Sequence, residues 1–73
     1  MISKEEEILH MQLRLFRLAC KKWGRDTDEC ADIFEDNDVD RYIKDSYEIF
    51  HVQGDDANLE EIKDYLGSGG IRV

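Results

Sequence analysis

SKEEEILHMQLRLFRLACKKWG, residues 3–24, is the stretch on which the fold turns. Ser3 opens it as an N-cap, and Glu6 three positions later completes a capping box. Glu5 and Glu7 join Glu6 in the first turn, where the helix dipole favours acids. At about 100° per residue, Ile8, Leu15, Phe16, Ala19 and Trp23 fall within about 100° of one another, forming the apolar face of an amphipathic helix. Gly24 is the natural stop. The spacing predicts one helix over residues 4–23. Met11 and Leu18 lie on one flank of its face, Leu13 and Cys20 on the other, which widens the apolar arc to about 220°. So broad an arc needs wrapping by the rest of the chain or burial against another chain, and a homodimer is one expectation that follows.

Beyond Gly24 the elements shorten. Asp26, Thr27 and Asp28 offer N-caps for a second helix carrying Cys30, Ala31, Ile33 and Phe34. Asn37-Asp38 interrupts it, and Asp38 is placed to cap a third helix in which Val39, Tyr42, Ile43, Tyr47 and Phe50 keep helical spacing. Gly54-Asp55-Asp56 reads as a turn. Asn58-x-x-Glu61 reads as a second capping box, ahead of Leu59, Ile62, Tyr65 and Leu66 and a stop at Gly67. The expected fold is all-α: a single domain over residues 1–67, with one long N-terminal helix packed by three shorter ones. Residues 68–73, opening on Ser68-Gly69-Gly70, are expected to form a flexible C-terminal tail.

Composition agrees with a small folded domain. The chain has 73 residues, 41% of them apolar and 38% charged, and no proline. A chain of this length buries only about 60% of the surface that its unfolded form exposes, so its core is thin. No run approaches the ~18 apolar residues of a membrane span. Met1-Ile2-Ser3-Lys4-Glu5-Glu6-Glu7 lacks the pattern of a signal peptide. A cytoplasmic location without membrane contact is expected.

The soft-ligand inventory is Cys20, Cys30, His10 and His51. No Cys-x-x-Cys or His-x-x-x-His spacing occurs, so neither a metal nor another cofactor is expected. His10 and Cys20, ten residues apart on one helix, are separated by about 15 Å along its axis and cannot act as a nucleophile–base pair. Asp36, Asp38 and Asp40 fit positions 1, 3 and 5 of a calcium loop, but Arg41 stands where the loop turns on Gly and Tyr47 where it needs a bidentate Glu. With no Gly-rich phosphate loop either, no catalytic residue is assigned and an enzyme is not expected.

The net charge of −8 is unevenly spread. Residues 1–25 carry +3 and residues 26–66 carry −12, with eight acids crowded between Asp26 and Asp40. On the first helix His10, Arg14, Arg17, Lys21 and Arg25 share a stripe opposite the apolar face. Two docking readings follow. The acidic half, with Asp32, Asp36 and Asp40 as candidates, suits a larger basic protein, because opposite fields steer encounter. The stripe, with Arg14, Arg17 and Lys21, suits something acidic. A DNA-binding or regulatory domain using that stripe is an alternative, although fifteen acids in the rest of the chain oppose phosphate contacts. A purely structural self-associating module is a third.

The stretch Asp40-Arg41-Tyr42-Ile43-Lys44-Asp45-Ser46-Tyr47-Glu48-Ile49-Phe50-His51-Val52-Gln53-Gly54 resembles the signature of a family of short bacterial proteins known only as a domain of unknown function (family three-seven-nine-one). That signature is Tyr-Ile, a few residues, Tyr-x-x-Leu-His-x-x-Gly and a closing acidic helix. Tyr42, Ile43, Tyr47, His51 and Gly54 fit it, and Phe50 replaces the Leu. The resemblance implies a small partner of the kind encoded beside ADP-ribosyltransferase-like toxins, hence an antitoxin-like or accessory binding role without catalytic residues. Within the motif, Tyr42 and Tyr47 are expected in the core with hydroxyls at its edge. His51 is expected as a partly buried histidine bonded to backbone, with a place at a partner surface as its alternative.

Overall fold

The computed structural model describes residues 2–73. Met1, the first residue of the expected 1–67 domain, lies outside them. Helix α1 spans Lys4–Trp23. Its N-cap is the expected one, with the Ser3 hydroxyl accepting the Glu6 N–H at 3.2 Å. Its stop is also the expected one: Gly24 takes φ 65°, and the following Arg25 N–H reaches back to the Cys20 carbonyl at 3.1 Å. That left-handed turn strains any residue with a Cβ. Ile8, Met11, Leu15 and Ala19 form the buried stripe, while Phe16 and Trp23 sit half-buried beside it.

Helix α2 spans Thr27–Asp36, and the Asp26 carboxylate caps it by accepting the Glu29 N–H at 2.8 Å. Its buried Phe34 meets Phe16 edge-to-face at 5.1 Å and Trp23 at 6.2 Å, so α2 covers the C-terminal half of α1. Helix α3, Val39–Asp45, buries Val39 and Ile43, and Gln12 of α1 donates to the Asp40 carbonyl at 2.8 Å. Helix α4, Tyr47–Phe50, and helix α5, Asp55–Ser68, complete the chain. Leu59, Ile62 and Leu66 of α5 close the core on the α1 stripe, together with Tyr47 and Phe50.

All five elements of the described residues are helices, as the sequence predicts, but several boundaries differ. The expected third helix is two, because Ser46 at φ −97° and ψ 5° kinks it, its N–H shared between the Tyr42 and Ile43 carbonyls. Serine is a weak helix former, and the kink lets Tyr47 and Phe50 enter the core while Tyr42 stacks on Tyr65, ring centroids 4.2 Å apart. Asp38 takes φ 52° and its side chain makes no capping bond to α3. The Gly54-Asp55-Asp56 turn is the start of α5, with Gly54 as its N-cap. Asn58 therefore lies inside that helix and caps nothing at its start.

The end of α5 also shifts. Gly67 continues the helix, and Ser68 donates its hydroxyl to the Asp64 carbonyl at 3.1 Å. Gly70 at φ 85° then reverses the chain. Of the residues expected as a tail, Ile71 donates its N–H to the Leu66 carbonyl at 2.9 Å, and Ile71 and Val73 pack against the core. Arg25 holds the Arg72 carbonyl at 2.9 Å.

Asn58 has a different task from the one its spacing suggests. It is fully buried, and its amide donates to the Phe50 carbonyl at 3.0 Å, which also accepts the Gln53 N–H at 3.3 Å. Its own Oδ1 has no partner. Replacing Asn58 with Ala removes one of the two hydrogen bonds to the Phe50 carbonyl and opens a small void, and we expect a loss of roughly 1–3 kcal/mol in urea unfolding. An unchanged midpoint would show that the α4–α5 tie contributes nothing.

Candidate functional site

Two of the depressions beside α1 hold three of the expected site residues, Arg14 and His51 in one and Asp40 in the other. The smaller, about 290 Å³, lies between α1 and the α4–α5 turn and is lined by Glu7, His10, Arg14, Tyr47, His51 and Gln53 over Met11 and Phe50. It brings Arg14 and His51 together. The Tyr47 hydroxyl donates to the Glu7 carboxylate, and that bond, ahead of burial, raises the Tyr47 pKa above its ordinary value. Arg14 is drawn towards α5 by Asp55, 3.2 Å away. His51 is exposed, and its ring stacks on Tyr47 with centroids 5.1 Å apart. No hydrogen bond from its side chain to backbone is present among the described residues, contrary to the expected buried role. Gly54, at φ −77° with open space where a Cβ would sit, is not required by the backbone either.

The larger depression is a groove of about 520 Å³ between α1 and the α2–α3 junction. Leu9, Leu13, Phe16, Ala31 and Phe34 give it an apolar bed, and Glu35, Asp38 and Asp40 stand along it. Leu9 is 52% and Leu13 49% exposed. Of the acids expected at a partner surface, only Asp40 lines this groove. Burial there pushes its carboxyl above the usual carboxylate range, although the residue as a whole is exposed. Asp32 and Asp36 lie exposed on α2, outside the lining. Sequence reasoning missed Leu9, Glu35 and Asp38. The signal available for them was a pair of leucines one turn apart, on the flank away from Met11.

The apolar arc of α1 thus resolves into two unequal flanks. Met11 is buried and Leu18 half-buried, while Leu9 and Leu13 remain open. The basic stripe is divided too. Arg14 pairs with Asp55 and Arg25 with Glu29, whereas Arg17 and Lys21 are exposed and have no ion pair among the described residues. No group of three His, Cys, Asp or Glu side chains suited to a metal ion occurs among the described residues. None of their helices is long and apolar enough to cross a membrane.

Cys30 and Cys20 meet where α2 crosses α1. Burial first, and the neighbouring Cys20 thiol second, push the Cys30 thiol up to about 12.

Five short-linked helices around one buried stripe, with an acid-lined groove on the outer side of the longest, define a small all-α protein. The chain belongs to the family described as protein of unknown function (DUF3791), whose model matches residues 10–68. No curated protein and no solved structure matches it.

Two outcomes follow from this geometry. His51→Ala should leave thermal stability within about 0.5 kcal/mol of the parent, as for other exposed positions, and a larger loss would restore the structural role. A thiol reagent near neutral pH should label half-exposed Cys20 and reach Cys30 only through unfolding, since its thiolate is nearly absent. The raised Cys30 value stabilises the fold below the ordinary thiol value of 9.0, and that contribution is lost as pH rises from there through about 12. Equal labelling of both thiols, or unfolding indifferent to pH over that window, would contradict the burial.

Proposed function

We propose that this protein is a non-catalytic, cytoplasmic interaction module of bacterial origin that acts by occupying a site on a larger, basic protein. The observation that carries this reading is the pair of open leucines, Leu9 and Leu13, beside a surface dominated by acids. Exposed apolar groups in a groove mark contact surfaces more than they mark solvated ones. The charge supports the same reading: residues 26–66 hold an excess of −12, a one-signed field that favours approach of a basic surface. The resemblance to small partners of ADP-ribosyltransferase-like toxins adds an antitoxin-like or accessory role as the biological setting. DNA binding through the α1 stripe is less favoured, because Asp55 and Glu29 already engage two of its arginines.

The test is a pull-down from the source cell at low and high salt, followed by charge reversal at Asp32, Asp36 and Asp40. We expect a basic partner whose association slows steeply as salt rises through about 0.15 M, where the Debye length is about 8 Å. We also expect the reversed variant to lose it. An acidic partner, or one bound equally fast at both salts and by the variant, makes the acidic helices a solvated surface only.

A further inference from the structure

We infer that the groove between α1 and the α2–α3 junction receives about two turns of a basic amphipathic helix. Its apolar residues, at i, i+3 or i+4 and i+7, would cover Leu9, Leu13 and Phe16, and its Lys or Arg residues would meet Glu35, Asp38 and Asp40. The inference rests on the reading of the chain as an interaction module and names the chemistry of the partner segment.

The dimensions select a helix. Leu9, Leu13 and Phe16 follow one another at successive turns of α1, so the apolar bed runs about 10 Å along the axis, two turns of an occupant lying beside it. Two helices packed side by side have their axes 8–10 Å apart, the spacing at which leucines of one enter between those of the other. Every element of the described residues is helical, so no strand edge is offered to an extended peptide.

The charges select its sign. The described residues hold five ion pairs: Lys4–Glu48, Arg14–Asp55, Lys22–Asp56, Arg25–Glu29 and Arg41–Asp45. None involves Glu35, Asp38 or Asp40, so the acids at the groove have no cationic partner among the described residues. Asp40 is partly desolvated there, which makes an arriving ammonium or guanidinium more favourable than it would be beside a fully hydrated carboxylate. A second copy of the chain, with net charge −8, meets these acids with the wrong overall sign.

The probe is a fluorescent helix-forming peptide of about 14 residues, with leucines on one face and lysines on its flanks. Its controls are a scrambled peptide of the same composition and a glutamate-flanked counterpart. The full chain is compared by anisotropy with a Leu9→Ser/Leu13→Ser double variant, whose fold is checked by thermal unfolding. We expect the amphipathic peptide to bind about tenfold or more tightly than the scrambled one, since two half-exposed leucines become covered. The glutamate peptide should not bind, and the double variant should erase the preference. Amide shifts in the complex should concentrate at Leu9, Leu13 and Ala31.

Equal binding of the scrambled peptide, or an unaffected double variant, overturns the assignment. So does a dimer by light scattering that the double variant dissociates, because a second copy is then the occupant. If peptide discrimination fails while charge reversal at Asp32, Asp36 and Asp40 still abolishes capture of the cellular partner, the module reading stands and only the groove falls. If capture is also unaffected, both fall.

Discussion

The buried stripe Ile8–Met11–Leu15–Ala19 of α1 is the contact on which the rest of the fold depends. Isolated helices shorter than about 12–15 residues are marginal in water. Here α2 has 10 residues, α3 has 7 and α4 has 4, so none of them stands alone. Helices α2, α3 and α5 each pack directly on α1, and α4, packed on α3, reaches α1 through the Tyr47–Glu7 hydrogen bond and the Lys4–Glu48 ion pair. Only α1 is long enough, and capped well enough at both ends, to present a continuous surface to all of them. Stability is therefore cooperative by construction: a change that frays α1 removes the wall against which the other core residues are buried.

That dependence explains how much of the fold the sequence discloses. The bounds of α1 are legible to the residue because three independent signals coincide there: a capping box at Ser3, a sustained 3.6-residue pattern, and a glycine at the end. The start of α2 is legible to within two residues, since Asp26, Thr27 and Asp28 all offer N-caps and the fold uses Asp26. Signals become ambiguous where the elements are short. Gly54-Asp55-Asp56 has the composition of a turn, yet a glycine N-cap followed by two acids is also a sound helix start. Asn58-x-x-Glu61 matches a capping box by spacing alone, but that asparagine is used in three dimensions, by the carbonyl of Phe50 eight residues back. Ser46 breaks a pattern whose periodicity runs straight through it, because the kink answers to where Tyr42 and Tyr47 must pack.

The surface was less legible than the core for the same reason. Whether a leucine on the flank of α1 is covered depends on which side the short helices settle, and helical spacing does not state that. Met11 and Leu13 are equivalent on the wheel, one on each flank, yet Met11 is buried and Leu13 half-open. The acid count pointed to α2 and α3 as a charged face. It could not distinguish Asp32 and Asp36, which face solvent, from Glu35, Asp38 and Asp40, which stand over apolar side chains. The motif around His51 predicts a partly buried histidine bonded to backbone at the turn to Gly54. Its exposure and its stacking on Tyr47 leave it at the surface instead.

Three departures from local consistency gather around the groove. Asp38 adopts a left-handed backbone without gaining a capping bond. Asp40 carries a carboxyl that burial makes harder to ionise, on a chain already short of positive charge. Leu9 and Leu13 expose apolar surface that neighbouring helices could have covered. Each feature weakens the isolated chain to some degree: left-handed backbone disfavours a residue with a Cβ, a desolvated carboxylate lacks a counter-charge, and open leucines forgo burial. Sequences that fold well tend to agree with themselves at every level, and clustered disagreement is characteristic of sites shaped by something other than folding. The opposite edge of α1 obeys the local rules: Met11 is covered and Arg14 is paired. At the groove, a positively charged, apolar-faced occupant would relieve the last two departures at once, supplying the counter-charge to Asp40 and the cover for both leucines.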